Sequence, residues 1–152
     1  MEWVIKKFEE LTSGEVYEIL RSRAEVFVKE QKICCADPDG VDRRCLHLFG
    51  IENGRVAAYL RALPVDAETV KVGRVLTLER GRGTGTALMR FALREFEERG
   101  FRTVVMDAQK SAVPFYLKLG FAVTSGEYLE EVISHVDTIY PREGKADEGL
   151  PL

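Results

Sequence analysis

A run of β-branched and apolar residues, Val70 to Leu78, leads through Glu79-Arg80-Gly81-Arg82-Gly83-Thr84-Gly85 into an amphipathic stretch, Thr84 to Arg99. This junction restricts the fold more than anything else in the chain. The residues before the glycines suit a strand. Those after them place Leu88, Met89, Ala92, Leu93 and Phe96 at helical spacing, and Gly100 supplies the stop. A strand, a glycine-rich turn and a helix start form an anion site, because the first helical N–H groups have no intrahelical partner and the helix dipole favours negative charge. Glycine lets that backbone approach a phosphate without an intervening Cβ. A Walker-type loop would end Gly-Lys-Ser/Thr, but this one runs Thr84-Gly85-Thr86-Ala87. The dinucleotide fingerprint would need a third glycine where Thr86 or Leu88 stands. With both excluded, the pattern is Arg80-x-x-Gly83-x-Gly85, a phosphate loop of another kind.

The other periodicities supply the surrounding elements. Val4 to Phe8 reads as an edge strand. Thr12 and Glu15 form a capping box ahead of Val16, Ile19, Leu20 and Phe27, which predicts a helix to about Val26. Cys34 to Arg44 reads as a loop. Asn53-Gly54 between Leu46–Glu52 and Arg55–Leu63 is a strong hairpin signal. Phe101 to Asp107 reads as a buried strand. Ser111 is placed to cap a short helix that carries Pro114 in its first turn and ends at Gly120. Phe121–Thr124 and Val136–Tyr140 read as the last strands. At 152 residues the expectation is one mixed α/β (α+β) domain over 1–141, with a polar tail over 142–152.

Composition removes several function classes. A net charge of −3 gives no sign of a nucleic-acid binder, and no apolar run approaches the ~20 residues of a membrane span. The N-terminus lacks a signal-peptide layout, so the cytoplasm is the expected location. Cys34, Cys35 and Cys45 fit neither a disulfide framework nor a zinc spacing and read as reduced thiols, with a Cys34/Cys35-to-Cys45 loop staple as the alternative. Asp37, Asp39 and Asp42 around Gly40 echo a calcium loop without its closing Glu, so they read as solvated or loop-ordering carboxylates. His47 and His135 are too few for a histidine metal site and read as packed or hydrogen-bonded strand residues, His135 also as a substrate contact. No metal is expected.

Three groups of residues resemble the GNAT superfamily of N-acetyltransferases. The first is Arg80-x-x-Gly83-x-Gly85, similar to the pyrophosphate loop of that superfamily. The second is Val113-Pro114-Phe115-Tyr116-Leu117-Lys118-Leu119-Gly120-Phe121, similar to the Tyr-bearing segment that follows its fifth strand. The third is narrower and resembles the ElaA-like subfamily: Arg23-x-x-Val26-Phe27-Val28-x-Glu30-Gln31, Asp37-x-Asp39-Gly40-x-Asp42, His47-Leu48, Gly73-Arg74-Val75, Asp107-Ala108-Gln109, and Tyr128 with His135. The resemblance covers roughly Tyr17 to Tyr140. It implies a mixed, mostly antiparallel sheet of six to seven strands, splayed between strands 4 and 5 and flanked by about four helices.

The resemblance also implies a function: transfer of an acetyl group from acetyl-CoA to a primary amine by direct attack in a ternary complex. Val75, Leu76 and Thr77 would offer backbone groups to the pantetheine arm and acetyl oxygen. Arg80, Gly81, Arg82, Gly83, Thr84, Gly85 and Thr86 would wrap the pyrophosphate, and Gln109 would touch the pantetheine. Tyr116 would protonate the departing thiolate. Glu30, His47 and Asp107 are candidates for the base. The chain departs from the family in the short lead-in Thr77-Leu78-Glu79-Arg80, two residues under the usual length, which predicts a smaller or shifted sheet bulge. The rival readings are a non-catalytic acyl-CoA- or partner-binding module and an acyl-homoserine-lactone-synthase-like enzyme. The acceptor amine and a homodimer are left open.

Overall fold

The computed structural model of the chain describes residues 1–31 and 37–142, and of Glu30 the backbone only. Cys34, Cys35 and nearly all of the expected tail lie outside the described residues, and Cys45 is a buried free thiol. Among the described residues eight strands form one sheet: β1 (Glu2–Lys7), β2 (Leu46–Glu52), β3 (Arg55–Pro64), β4 (Thr69–Thr77), β5 (Thr103–Gln109), β6 (Ala122–Val123), β7 (Tyr128–Glu130) and β8 (Ile133–Tyr140). Their order is β1-β2-β3-β4-β5-β8-β6, with β7 pairing β8 beside β6. Every pair is antiparallel except β4 with β5.

The helices are α1 (Ser13–Arg23), α2 (Thr84–Glu98) and α3 (Val113–Lys118). Thr12 caps α1 through the expected box, its hydroxyl accepting from the Glu15 N–H at 3.1 Å while the Glu15 carboxylate accepts from the Thr12 N–H at 2.9 Å. The helix expected to reach Val26 instead changes pitch at Ala24 and runs as a π-helical stretch, Ala24–Glu30. Its wider turns are closed by bonds such as Gln31 N–H to the Val26 carbonyl at 3.0 Å. The cap expected of Ser111 is absent: α3 follows a tight 3₁₀ turn at Lys110–Ala112 and starts with no side-chain cap, its first turn preset by Pro114. The eighth strand comes from a hairpin, β7–β8, whose turn has Glu131 and Val132 at φ 51° and 59°. Sequence reasoning reserves that conformation for residues such as Asn53 and Gly54, which adopt it in the β2–β3 turn at φ 54° and 75°.

Two apolar clusters lie on the two faces of the sheet. On one face Leu88, Met89, Ala92 and Phe96 of α2, with Tyr116 and Phe121, cover Leu48, Leu60, Val72, Val104 and Met106. On the other face Ile19, Val26 and Phe27 cover Phe49, Val56, Tyr59 and Leu76. β4 contributes to both clusters: Val70 and Val72 face α2, but Leu76, of the same parity, faces α1. The reason is a bulge. Tyr59 pairs Leu76 and Arg61 pairs Gly73, so three steps along β4 match two along β3. The extra residue reverses the facing of everything after it. Arg74 sits in the bulge at φ 54°, a costly conformation for a residue with a Cβ.

The bulge is held by a closed ring of alternating charge. Arg23 reaches Asp37 at 2.9 Å and Asp42 at 2.7 Å. Arg61 reaches Asp42 at 3.0 Å and grips Asp39 through two bonds of 2.8 Å. Arg74 reaches Asp37 at 2.9 Å and Asp39 at 3.4 Å. The acidic segment thereby ties together α1, β3 and the β4 bulge, and the three aspartates are loop-ordering carboxylates with arginine partners, not solvated ones. Hydrogen bonds from Arg61 hold the Asp39 carboxyl far below the usual carboxylate range. For Asp42, burial pushes upward, but the bonds from Arg23 and Arg61 outweigh it and the net shift is downward. His47 completes the group. Its Nε2–H donates to the Asp42 carbonyl at 2.8 Å and its Nδ1 accepts from the Tyr59 hydroxyl at 2.7 Å, while burial lowers its pKa.

Two outcomes follow for stability. Arg23 is only 1% exposed, so Arg23→Leu leaves Asp37 and Asp42 with one arginine each and should cost ~3–5 kcal/mol in urea unfolding at neutral pH. Acid should act in two ranges. The unfolded His47 takes up a proton below its ordinary 6.5 while the folded, depressed imidazole resists, so stability declines as pH falls below that value. Asp39 and Asp42 have depressed folded pKa values, so their contribution is full above the ordinary 3.8 and is lost as pH falls through the folded values. A urea midpoint that stays flat from pH 7 to about pH 3 would contradict this account.

Candidate active site

β4 and β5 pair only through Thr69–Val72 with Thr103–Met106. Beyond that point the two strands diverge, leaving Gly73–Thr77 and Asp107–Gln109 on either side of a split. Leu78 N–H donates to the Ala57 carbonyl at 2.8 Å. By the alternation of an antiparallel ladder, Leu76 and Leu78 turn their main-chain groups toward β3, and Thr77 turns its N–H and C=O into the split. The bulge therefore decides which backbone group is available: that of Thr77, with Leu76 committed to the sheet and Val75 lying in the bulge's exit. It is present despite the short lead-in and centred on Arg74–Val75.

The helix start beside Thr77 is built for close approach. Gly81 and Gly83 have φ 79° and 75°, with nothing within 4 Å of where a Cβ would stand. Gly83 is the N-cap of α2 and offers no side-chain cap, so the N–H groups of Thr84, Gly85 and Thr86 are not capped by it; the first closing bond is Ala87 N–H to the Gly83 carbonyl at 3.1 Å. A Cβ on Gly85 would lie 3.5 Å from Phe115 and 3.9 Å from Thr77. The end of β4, the start of α2 and the first turn of α3 thus meet at Gly85. Glu79 to Gly83 are exposed, and Thr84 to Thr86 are half-buried. Arg80 is exposed. Arg82 pairs with Glu79 and lies 3.5 Å from Glu52; the Glu79 hydrogen bond, then the Glu52 charge, raise its pKa. A hollow of about 240 Å³ between these residues, Leu78 and Thr84 opens at the same helix start. Arg82 thus already has carboxylate partners.

Tyr116 follows Phe115 on α3 and packs edge-on against Phe115 and Phe121, ring centroids 5.0 and 5.6 Å away. It is 6% exposed, burial pushes its phenol up to about 12, and its hydroxyl has no hydrogen bond among the described residues. Gln109 ends β5 and donates to the Gln31 side chain at 3.1 Å, linking the split to the end of the π-helical stretch. Of the candidate bases, His47 has both ring nitrogens engaged in the core and is removed on geometry. Asp107 is one-third exposed and lies 3.2 Å from Lys71. The side chain of Glu30 is outside the described residues. Of the groups beside Asp107 on β8 and β7, Tyr128 and His135 were singled out from the sequence and Asp137 was not. The Tyr128 hydroxyl donates to Asp137 at 2.6 Å, and the His135 ring stacks on Tyr128. The alternation His135-x-Asp137 about the apolar Val136 was the available signal for that aspartate.

A family profile described as an acetyltransferase (GNAT) domain matches residues 42–139. A UPF0039 protein of Schizosaccharomyces pombe is 38% identical over 142 residues, covering 90% of this chain and 95% of the relative. The crystal structure of Escherichia coli ElaA superposes with a TM-score of 0.85 at 32% identity, covering 93% of this chain and 99% of that one. An acyl-CoA N-acyltransferase from Pseudomonas aeruginosa also superposes at 0.85, with 34% identity, covering 91% and 99%. Among the described residues no helix is long and apolar enough to cross a membrane.

Proposed function

Because the chain belongs to the GNAT acetyltransferase family, we propose that it moves an acetyl group from acetyl-CoA to a primary amine by direct attack in a ternary complex. One observation carries the reading: an uncapped, glycine-lined helix start touches both the split strand and the Tyr-bearing helix at Gly85. The pyrophosphate binds the N–H groups of Gly83 to Thr86, with Arg80 and Arg82 as cations at the rim and Gly81 in the turn. The pantetheine arm lies in the split between β4 and Gln109. The Thr77 N–H, facing that split, donates to the thioester oxygen as it gains charge. The amine attacks within the same complex, where proximity supplies much of the rate. Tyr116, kept neutral by burial, donates to the sulfur as it leaves. Cys45 is buried, and its thiol is pushed up to about 11 by burial, which suits a packed thiol and not an acyl carrier.

Two substitutions test the assignment. Gly83→Glu places a negative side chain at φ 75° on the anion site and should weaken acetyl-CoA binding by more than about 100-fold in calorimetry, with the fold checked by melting. Unchanged affinity in a folded variant would remove the cofactor assignment. Tyr116→Phe should lower turnover by roughly 100-fold while acetyl-CoA affinity stays within about twofold. Wild-type turnover in that variant would remove the acid role.

A further inference from the structure

The face of the sheet opposite α2 has a polar patch beyond the split. Val104, Met106 and Ala108 belong to the α2-side core and the buried Val136 lies opposite Ala108, so the alternate residues Asp107, Gln109, His135 and Asp137 face the other way. β7 adds Tyr128 opposite His135, and Glu130 two residues on. The apolar cluster on this face stops at β4, and solvent reaches Asp107, whose side chain is 33% exposed. Three carboxylates act on one hydroxyl here. Burial first, then the Asp137 hydrogen bond and the charges of Asp107 and Glu130, drive the Tyr128 phenol well above its ordinary value. Among the described residues the one cation paired with them is Lys71, at Asp107.

His135 gives this patch a direction. It is 9% exposed and stacks on Tyr128 with centroids 6.1 Å apart. A carbonyl can only accept, so the 2.8 Å contact with the Ile133 oxygen puts the proton on Nδ1. Nε2 is left with a lone pair and no hydrogen bond among the described residues. That nitrogen is not sealed from solvent, so an N–H donor brought by a ligand can reach it. His135 lies directly opposite Gln109 in the β5–β8 ladder, level with the split and on the face away from the anion loop. Donor and acceptor would therefore approach the split from opposite faces. Asp137 follows two residues along the strand, about 7 Å away, the span of a short alkanediamine.

We propose that this face receives the acceptor, that the acceptor is an amine carrying a second positive charge, and that His135 Nε2 takes the proton from its attacking ammonium. The proposal rests on the acetyltransferase reading above. Nε2 accepts one proton from R–NH₃⁺, and the freed lone pair of R–NH₂ forms the N–C bond to the thioester carbonyl carbon. The C–S bond then breaks with its pair on sulfur. The amide nitrogen sheds its second proton, the sulfur gains one, and the imidazolium returns its proton to solvent. The balance is R–NH₃⁺ plus thioester to amide, thiol and one proton. The second ammonium of the acceptor pairs with Asp137 and the charges around it.

The test separates the two readings. Calorimetry with acetyl-CoA examines the cofactor assignment alone. Thiol release is then followed with 1,4-diaminobutane, spermidine, n-butylamine and leucine. The diamine and polyamine should exceed butylamine and leucine in kcat/KM by about 100-fold. Asp137→Asn, which can still accept the Tyr128 bond, should raise KM for 1,4-diaminobutane about 10-fold and leave that for butylamine unchanged. His135→Asn should lower kcat about 100-fold for every amine, with acetyl-CoA affinity unchanged and the melting point retained. Equal use of butylamine, a KM indifferent to Asp137→Asn, or wild-type kcat in His135→Asn overturns the proposal. So does an enzyme that binds acetyl-CoA but acetylates none of the dications, an outcome that leaves the cofactor reading standing.

Discussion

Everything at the split depends on β4 changing face partway along its length. Val72 and Leu76 have the same parity, and in a regular strand both would enter the core under α2. The extra residue at Arg74–Val75 sends Leu76 to the opposite face and turns the Thr77 main chain away from β3. A bulge of this kind is expensive at a residue with a Cβ, of the order of 1–3 kcal/mol. Asp37 offsets that cost by accepting from Arg74 through its carboxylate at 2.9 Å and its backbone carbonyl at 3.0 Å. Because Asp37 also holds Arg23, the end of α1 and the bulge in β4 are fixed by one side chain. The backbone geometry at the split is thus maintained by charges on the opposite side of the strand from α2.

The same arrangement gives the molecule a polarity that its net charge hides. A balance of −3 looks unremarkable in the sequence, but two regions of unlike character lie across the sheet from one another. Arg80 and Arg82 stand at the α2 end, where helical N–H groups are uncapped, and Asp107, Asp137 and Glu130 gather across the sheet around Tyr128. A low-dielectric sheet between two such regions keeps their potentials separate.

The parts legible in the sequence were those whose cause is local. The Thr12–Glu15 box, the Asn53-Gly54 turn, the α2 stripe and the uncapped glycine start each depend on residues within a few positions of one another. The widening at Ala24 could not be read, because Arg23 is anchored by residues 14 and 19 positions away. The β7–β8 turn was missed because its positive-φ residues are Glu131 and Val132. Ser111 looked like a cap, but the chain tightens to a 3₁₀ turn there and the hydroxyl caps nothing. At the site, Arg82 looked like a phosphate ligand and carries carboxylate neighbours, one of which, Glu52, is 30 residues distant. His135 was read from the sequence as a packed strand residue or a substrate contact. Only the cross-strand register showed it level with Gln109 and beside Asp137.

The ring Arg23–Asp37–Arg74–Asp39–Arg61–Asp42 closes on itself, so each member has two oppositely charged neighbours. Removing one charge frustrates two partners, and reversing one creates two repulsions. Compensation at a single neighbour repairs only half of the damage. Contributions around such a loop are coupled and cannot be assigned position by position. The six positions are thus expected to be inherited as one character: a lineage keeps the whole circuit or replaces all of it with something uncharged.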